Sequence, residues 1–196
     1  MTGGGVAAEQ PIRSFKPRLV DADTGPPDPR DDFGAVYEAY YQLVFRAVRG
    51  VLLDTTLAED VTQDAFLKAY LARHRYRPTG RVEAWLCTIA VREAISRLRW
   101  SAVQRRLLAA WQHEAASPVT AVGLPERLDE LLSPLSPKAR AVVVLHFLHG
   151  YRHREIAGIL RLPEGTVASR LSHALRQMRK HAKQIDESDA QKRFSG

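Results

Sequence analysis

Between residues 166 and 183 the chain reads TVASRLSHALRQMRKHAK, with Val167, Leu171, Ala174, Leu175 and Met178 recurring at spacings of three and four. That is one face of a helix. The opposite face carries Ser169, Arg170, Ser172, His173, Arg176 and Lys180. Guanidinium forks and hydroxyls are the donors that read phosphates and base edges, so a polyanion is the natural partner. Gly165 and Thr166 open the stretch, and a glycine in the first turn leaves the backbone free to approach a phosphate. Pro163 suits a first helical turn, where its missing N–H is not needed. Just upstream, HREIAGIL (153–160) forms a second short helix, and RLPEG (161–165) joins the two. Ala157 lets these helices approach closely, with Val167 and Leu171 as packing positions, which makes a helix-turn-helix. Its functional reading is a recognition helix in the major groove presenting Gly165, Thr166, Ser169, Arg170, Ser172, His173 and Arg176. The same spacing on an ordinary helical hairpin would be a solvated basic surface, so the motif does not decide the matter alone.

A second basic stripe lies at Arg92, Ser96 and Arg99, with Arg81, Arg97, Arg105 and Arg106 nearby and Trp85 and Trp100 interleaved. Cations beside aromatics can hold single-stranded DNA by phosphate contact and base stacking. Trp85 falls on the apolar face and reads as core; Trp100, among arginines at the end, is the stacking candidate. An acidic cluster breaks the basic theme at Glu59, Asp60, Gln63 and Asp64. A helix start explains the first two, but Asp64 lies beyond the first turn, and an acidic patch on a basic chain invites a basic protein partner. His146, His149 and His153 have no cysteine or carboxylate to complete a metal set. The single cysteine, Cys87, reads as a small core residue. No phosphate-binding glycine loop, nucleophile elbow or carboxylate pair is present, so neither a catalytic site nor a cofactor is expected.

These stripes need helices to hold them. Asp31 or Asp32 caps a first helix whose stripe is Phe33, Val36, Tyr37, Tyr40, Val44, Ala47 and Val48. Residues 54–75 form a second, capped near Asp54 to Thr56, with Ala58, Val61, Ala65 and Ala69 inward. Residues 82–100 form a third, buried through Trp85, Leu86, Ile89, Ala90 and Leu98. A later block holds helices over 126–135 and 137–150, the latter started by Ser136-Pro137 and stopped by Gly150. No strand alternation persists, so the fold class is all-α, in two small helical domains. The boundaries are a flexible leader over 1–30 with five prolines and a GGG run, a first domain over 31–100, a flexible linker over 101–124 in which RRLLAAWQHE offers an extension of the third helix, a helix-turn-helix domain over 125–181 and a tail over 182–196. Fully extended, such a linker reaches about 75 Å. The excess of 29 basic over 22 acidic residues favours a polyanionic partner. One cysteine, no apolar run of membrane-spanning length and no signal peptide imply a cytoplasmic setting without membrane insertion.

Three segments in order resemble the extracytoplasmic-function (ECF) class of bacterial RNA polymerase sigma factors. AEDVTQDAFLKAY is similar to that family's helix docking on polymerase core, AWLCTIAVREAISRLR to the segment that melts and reads the −10 element, and residues 135–180 to the helix-turn-helix that reads the −35 element. The resemblance covers about residues 31–181. It implies that Asp60, Gln63 and Asp64 face the core. It implies that Arg92, Ser96, Arg99 and Trp100 handle −10 DNA on the scaffold of Trp85, Ile89 and Ala90. Ser169 and Arg170 would stand at the start of the −35 recognition helix. The implied partners are the polymerase core, through its beta-prime clamp and beta flap, promoter DNA and an anti-sigma factor. The chain departs from the family at Arg92, often Asn, at Ser96, usually acidic, and at Ala168, commonly Lys or Arg. A stand-alone helix-turn-helix regulator is the alternative, binding duplex tightly without polymerase; an RNA-binding helical protein is a further one.

Overall fold

The computed structural model describes residues 26–77, 81–109 and 126–194. Every regular element in them is helical: α1 (Phe33–Leu52), α2 (Thr55–Ala72) with a closing 3-10 turn (Arg73–Arg75), α3 (Val82–Ala109), α4 (Glu126–Leu132), α5 (Pro137–Phe147), α6 (His153–Leu160) and α7 (Glu164–Phe194). Residues 1–25 of the expected leader and 110–124 of the expected linker lie outside the described residues.

Short polar side chains start the helices. The Asp32 carboxylate accepts from the Ala35 N–H at 2.9 Å, Asp54 accepts from Leu57 at 2.9 Å, and the Ser136 hydroxyl accepts from Ala139 at 3.3 Å. Each satisfies an N–H that the first turn leaves unpaired, worth about 1 kcal/mol. Only Leu53 and Asp54 separate α1 from α2. Leu53 is left-handed (φ 59°) and its N–H returns to the Arg49 carbonyl at 2.8 Å, which reverses the chain and lays α2 against α1.

The N-terminal lobe packs α1, α2 and α3 mutually. Val36, Val44, Val48, Ala58, Val61 and Ala90 are fully buried, and small residues on α2 and α3 let the three axes come close. In the C-terminal lobe α5 is buried almost all round, from Ala139 to Leu145. A helix apolar on every side needs neighbours on every side. α6 and α7 cover part of it through Ile156, Val167, Leu171 and Ala174, and α1 of the other lobe covers more.

The lobes are therefore joined. α5 packs on α1, and α6 packs on α3. Gly50 makes the first contact feasible: a Cβ there would stand 2.7 Å from Val144 Cγ2. Beside it, Arg49 is fully buried; its Nη2 and Nη1 donate to the Asp129 carboxylate at 2.5 and 3.2 Å, and its Nε donates to Thr55 Oγ1 at 3.1 Å. Tyr151 is buried and hydrogen-bonded to Cys87 of α3, and burial pushes the thiol up to about 12.

Several expectations are corrected. α3 runs to Ala109, nine residues into the stretch assigned to a linker, and α7 runs through the expected tail to Phe194. Tyr37 is 41% exposed, drawn out of the inward stripe by an aromatic group in which its ring meets Phe66 at 4.8 Å and Tyr41 at 5.1 Å. α4 ends at Leu132 and α5 at Phe147, and Gly150, at φ 68°, turns the chain after α5. Pro163 precedes α7 rather than sitting inside it, its carbonyl accepting from the Thr166 and Val167 N–H groups at 2.9 and 3.2 Å.

Candidate nucleic-acid interface

α7 buries Val167, Leu171 and Ala174 against α5 and α6 and turns Gly165, Ser169, Ser172, His173 and Arg176 to solvent. Thr166 is half-buried beside them, and the Ser169 hydroxyl donates to its carbonyl at 3.1 Å. Space around Gly165 is open, so the glycine answers no crowding inside the chain and leaves the helix start bare to an incoming phosphate. Ser169, Arg170, His173 and Arg176 share a groove of about 630 Å³ with Lys138 and Gln177. Lys138 and Gln177 were missed from sequence. Lys138 carried a signal, since a lysine in the first turn of α5 opposes the helix dipole and needs another reason to be there. Arg170 is half-buried, with Nη1 enclosed and unpartnered.

The α3 stripe is divided. Ser96 and Arg99 are exposed, and Trp100 is 66% exposed. Arg92 is engaged instead: its Nε donates to the Ile159 carbonyl at 2.8 Å and its Nη2 to the Gly158 carbonyl at 3.0 Å. A guanidinium there donates to carbonyls of the last turn of α6 and faces the negative end of its dipole. Trp85 is half-buried, its ring 5.3 Å from Tyr76.

On α2, Asp60, Gln63 and Asp64 are exposed together. The same face continues into Leu67, 59% exposed, and Leu71, 71% exposed, with Tyr70 alongside. Sequence reasoning missed these two leucines, although positions 60, 64, 67 and 71 share a helical stripe. An acidic stretch running into bare leucines is the anatomy of a protein-binding surface. Lys68 pairs with Glu93 of α3 at 2.5 Å beside it.

Among the described residues no group of His, Cys, Asp or Glu is placed to hold a metal ion. His146, His149 and His153 are used locally: His146 Nδ1 lies 3.0 Å from the Tyr151 carbonyl, and the His149 ring stacks on Tyr151. No described helix is long and apolar enough to cross a membrane.

Known proteins share this arrangement. Residues 36–102 match the Sigma-70 region 2 family and residues 125–178 match the Sigma-70 region 4 family. The chain is 32% identical over 152 residues to the ECF RNA polymerase sigma factor SigL of Mycobacterium tuberculosis, covering 74% of this chain and 85% of that one. It is 24% identical over 168 residues to SigX of Bacillus subtilis, covering 80% and 87%. Its fold is similar to that of the sigma factor RpoE crystallised with the anti-sigma factor NepR from Bartonella quintana. That match has a TM-score of 0.66 and 22% identity, over 78% of this chain and 97% of that one. With a region 2 lobe, a region 4 helix-turn-helix and curated relatives matched over most of their length, the chain belongs to the ECF RNA polymerase sigma factors: it binds polymerase core and directs transcription initiation.

Proposed function

We propose that the exposed face of α7 reads the −35 element and that the distal half of α3 captures the −10 strand. Ser169, Arg170, Ser172, His173 and Arg176 meet base edges and phosphates, and the bare backbone at Gly165 and Thr166 takes a phosphate. Ser96, Arg99 and Trp100 hold extruded bases, offsetting an unstacking cost of a few kcal/mol. Asp60, Gln63 and Asp64, extended by Leu67 and Leu71, dock on the core's clamp, and region 4 meets the flap. Polymerase supplies the chemistry and this chain the address, working in the cytoplasm. An anti-sigma factor controls it, as the RpoE–NepR complex suggests by its name.

The observation that carries the reading is the exposure of Trp100 on a basic stripe of the region 2 lobe. In the closed chain Arg92 leans toward α6, its Nε and Nη2 donating to the Ile159 and Gly158 carbonyls. Permanganate reactivity of −10 thymines tests it: holoenzyme with Trp100→Ala should bind core normally and lose strand opening. Unchanged opening would remove the stripe from the −10 role.

A further inference from the structure

Where α3 meets the helix-turn-helix, a cleft of about 330 Å³ gathers Arg92, Arg99, Lys138, Arg161 and Arg170, and no carboxylate lines it. These cations come from four separate parts of the chain: α3, α5, the turn after α6, and α7. Like charges converge there only against repulsion. The Arg92 guanidinium is held below its ordinary pKa, first by burial and then by Arg161. Arg170 lines both this cleft and the α7 groove, and its Nη1 is buried without a hydrogen-bond partner, although a buried guanidinium N–H normally finds one.

Arg161 adds an independent observation. It closes α6 in the left-handed conformation at φ 52°, with Leu162 N–H returning to the Ala157 carbonyl at 3.0 Å and Arg161 N–H to Gly158 at 3.4 Å. That is the helix-end motif whose left-handed position glycine ordinarily fills. A side chain there is disfavoured, so an arginine in place of glycine at the mouth of a cationic cleft points to work for its guanidinium.

We propose that the cleft binds a compact polyphosphate, of the triphosphate class, that bridges the two lobes and holds the chain closed. Density of charge selects this ligand. Five cations in so small a volume call for several negative charges on few atoms; a carboxylate side chain brings one, a triphosphate three or four. Guanidinium forks match phosphate oxygens two at a time. A DNA duplex, whose major groove alone admits a whole helix, does not fit between the lobes. Ile95, Leu160 and Leu162 line the rest of the cleft and give a nucleoside an apolar surface to lie on.

The full chain is titrated calorimetrically, without DNA, in 150 mM salt with tripolyphosphate, ATP and orthophosphate. One saturable site is expected, with tripolyphosphate at least about tenfold tighter than orthophosphate. ATP tighter than tripolyphosphate would identify a nucleotide as the source, and equal affinities a free polyphosphate. Arg161→Gly suits its backbone and should keep or raise thermal stability while weakening the triphosphate about tenfold. Lys138→Gln should weaken it similarly, and Asp129→Ala should weaken it from outside the cleft by letting the lobes part. No saturable binding, or binding unchanged in all three variants, would overturn the proposal, as would a triphosphate displaced only by single-stranded DNA with no effect of Asp129→Ala. Because promoter DNA is absent, the result stands apart from the −35 reading.

Discussion

Arg49 of the region 2 lobe and Asp129 of the region 4 lobe form a two-pronged ion pair at 2.5 and 3.2 Å, with the guanidinium wholly buried. The pair ties α1 to α4 across the two lobes. Removing one partner leaves a buried charge uncompensated, which costs more than the pair contributes when whole. Asp129→Ala should therefore destabilise the closed chain by about 3 kcal/mol. Small-angle scattering should show an expanded chain that keeps its helix content. Arg49→Met with Asp129→Leu should recover most of the loss; if the single variant scatters like the wild type, the pair does not hold the lobes.

Gly50 should tolerate no side chain while the lobes are closed. Gly50→Ala drives a methyl into Val144, at a cost of about 1–3 kcal/mol for overpacking. Val144→Ala in the same chain should restore the thermal midpoint of closure. A Gly50→Ala chain as stable as wild type would mean that α1 and α5 do not meet as described.

Acid should loosen the same contact. Burial, then the Arg46 charge, lowers His149 from 6.5 to about 4, and its Nε2 is enclosed without a partner. Between those two values the unfolded or opened chain binds a proton that the closed chain refuses. Stability is thus complete above pH 6.5 and declines as pH falls toward 4. The loss is on the order of 3 kcal/mol. Denaturant midpoints from pH 7.5 to 4.5 should fall for wild type and flatten for His149→Phe. Parallel slopes would assign the acid sensitivity elsewhere.

The α2 surface should answer to both charge and apolar area. Asp60→Lys with Asp64→Lys should weaken core binding in a competition assay while leaving circular dichroism and melting unchanged, since both side chains are exposed. Leu71→Ala should weaken it as well, by about 1–2 kcal/mol for one leucine buried on docking. Wild-type affinity in both variants would place the core contact on another face.

Much of this was legible in the sequence because it is local chemistry. Asp32, Asp54 and Ser136 announce helix starts by side-chain type alone, and the three-four spacing of Val167, Leu171 and Ala174 orients α7. What was not legible depends on partners far along the chain. Spacing puts Arg92 on a polar stripe but cannot tell DNA from the carbonyls at 158 and 159. Nothing in the run around Gly50 shows that a valine 94 positions later requires it. Arg161 offers no local sign of its left-handed turn, since the usual sign is glycine. The length of α7 escaped because its end lacks a continuous apolar face, and good helix formers continue without one.

The central claim is that α7 carries the −35 address, and Arg170 is its test residue. Holoenzyme carrying Arg170→Ala should be measured against a −35 promoter library at two salt concentrations. If Arg170 reads a base, affinity for the preferred sequence falls by about 1–3 kcal/mol and discrimination at one position relaxes. If it meets phosphate, all sequences weaken alike and the salt slope drops by about one. Either outcome places α7 on DNA. Affinity, specificity and salt slope all unchanged, in Arg170→Ala and in Arg176→Ala alike, would contradict the account.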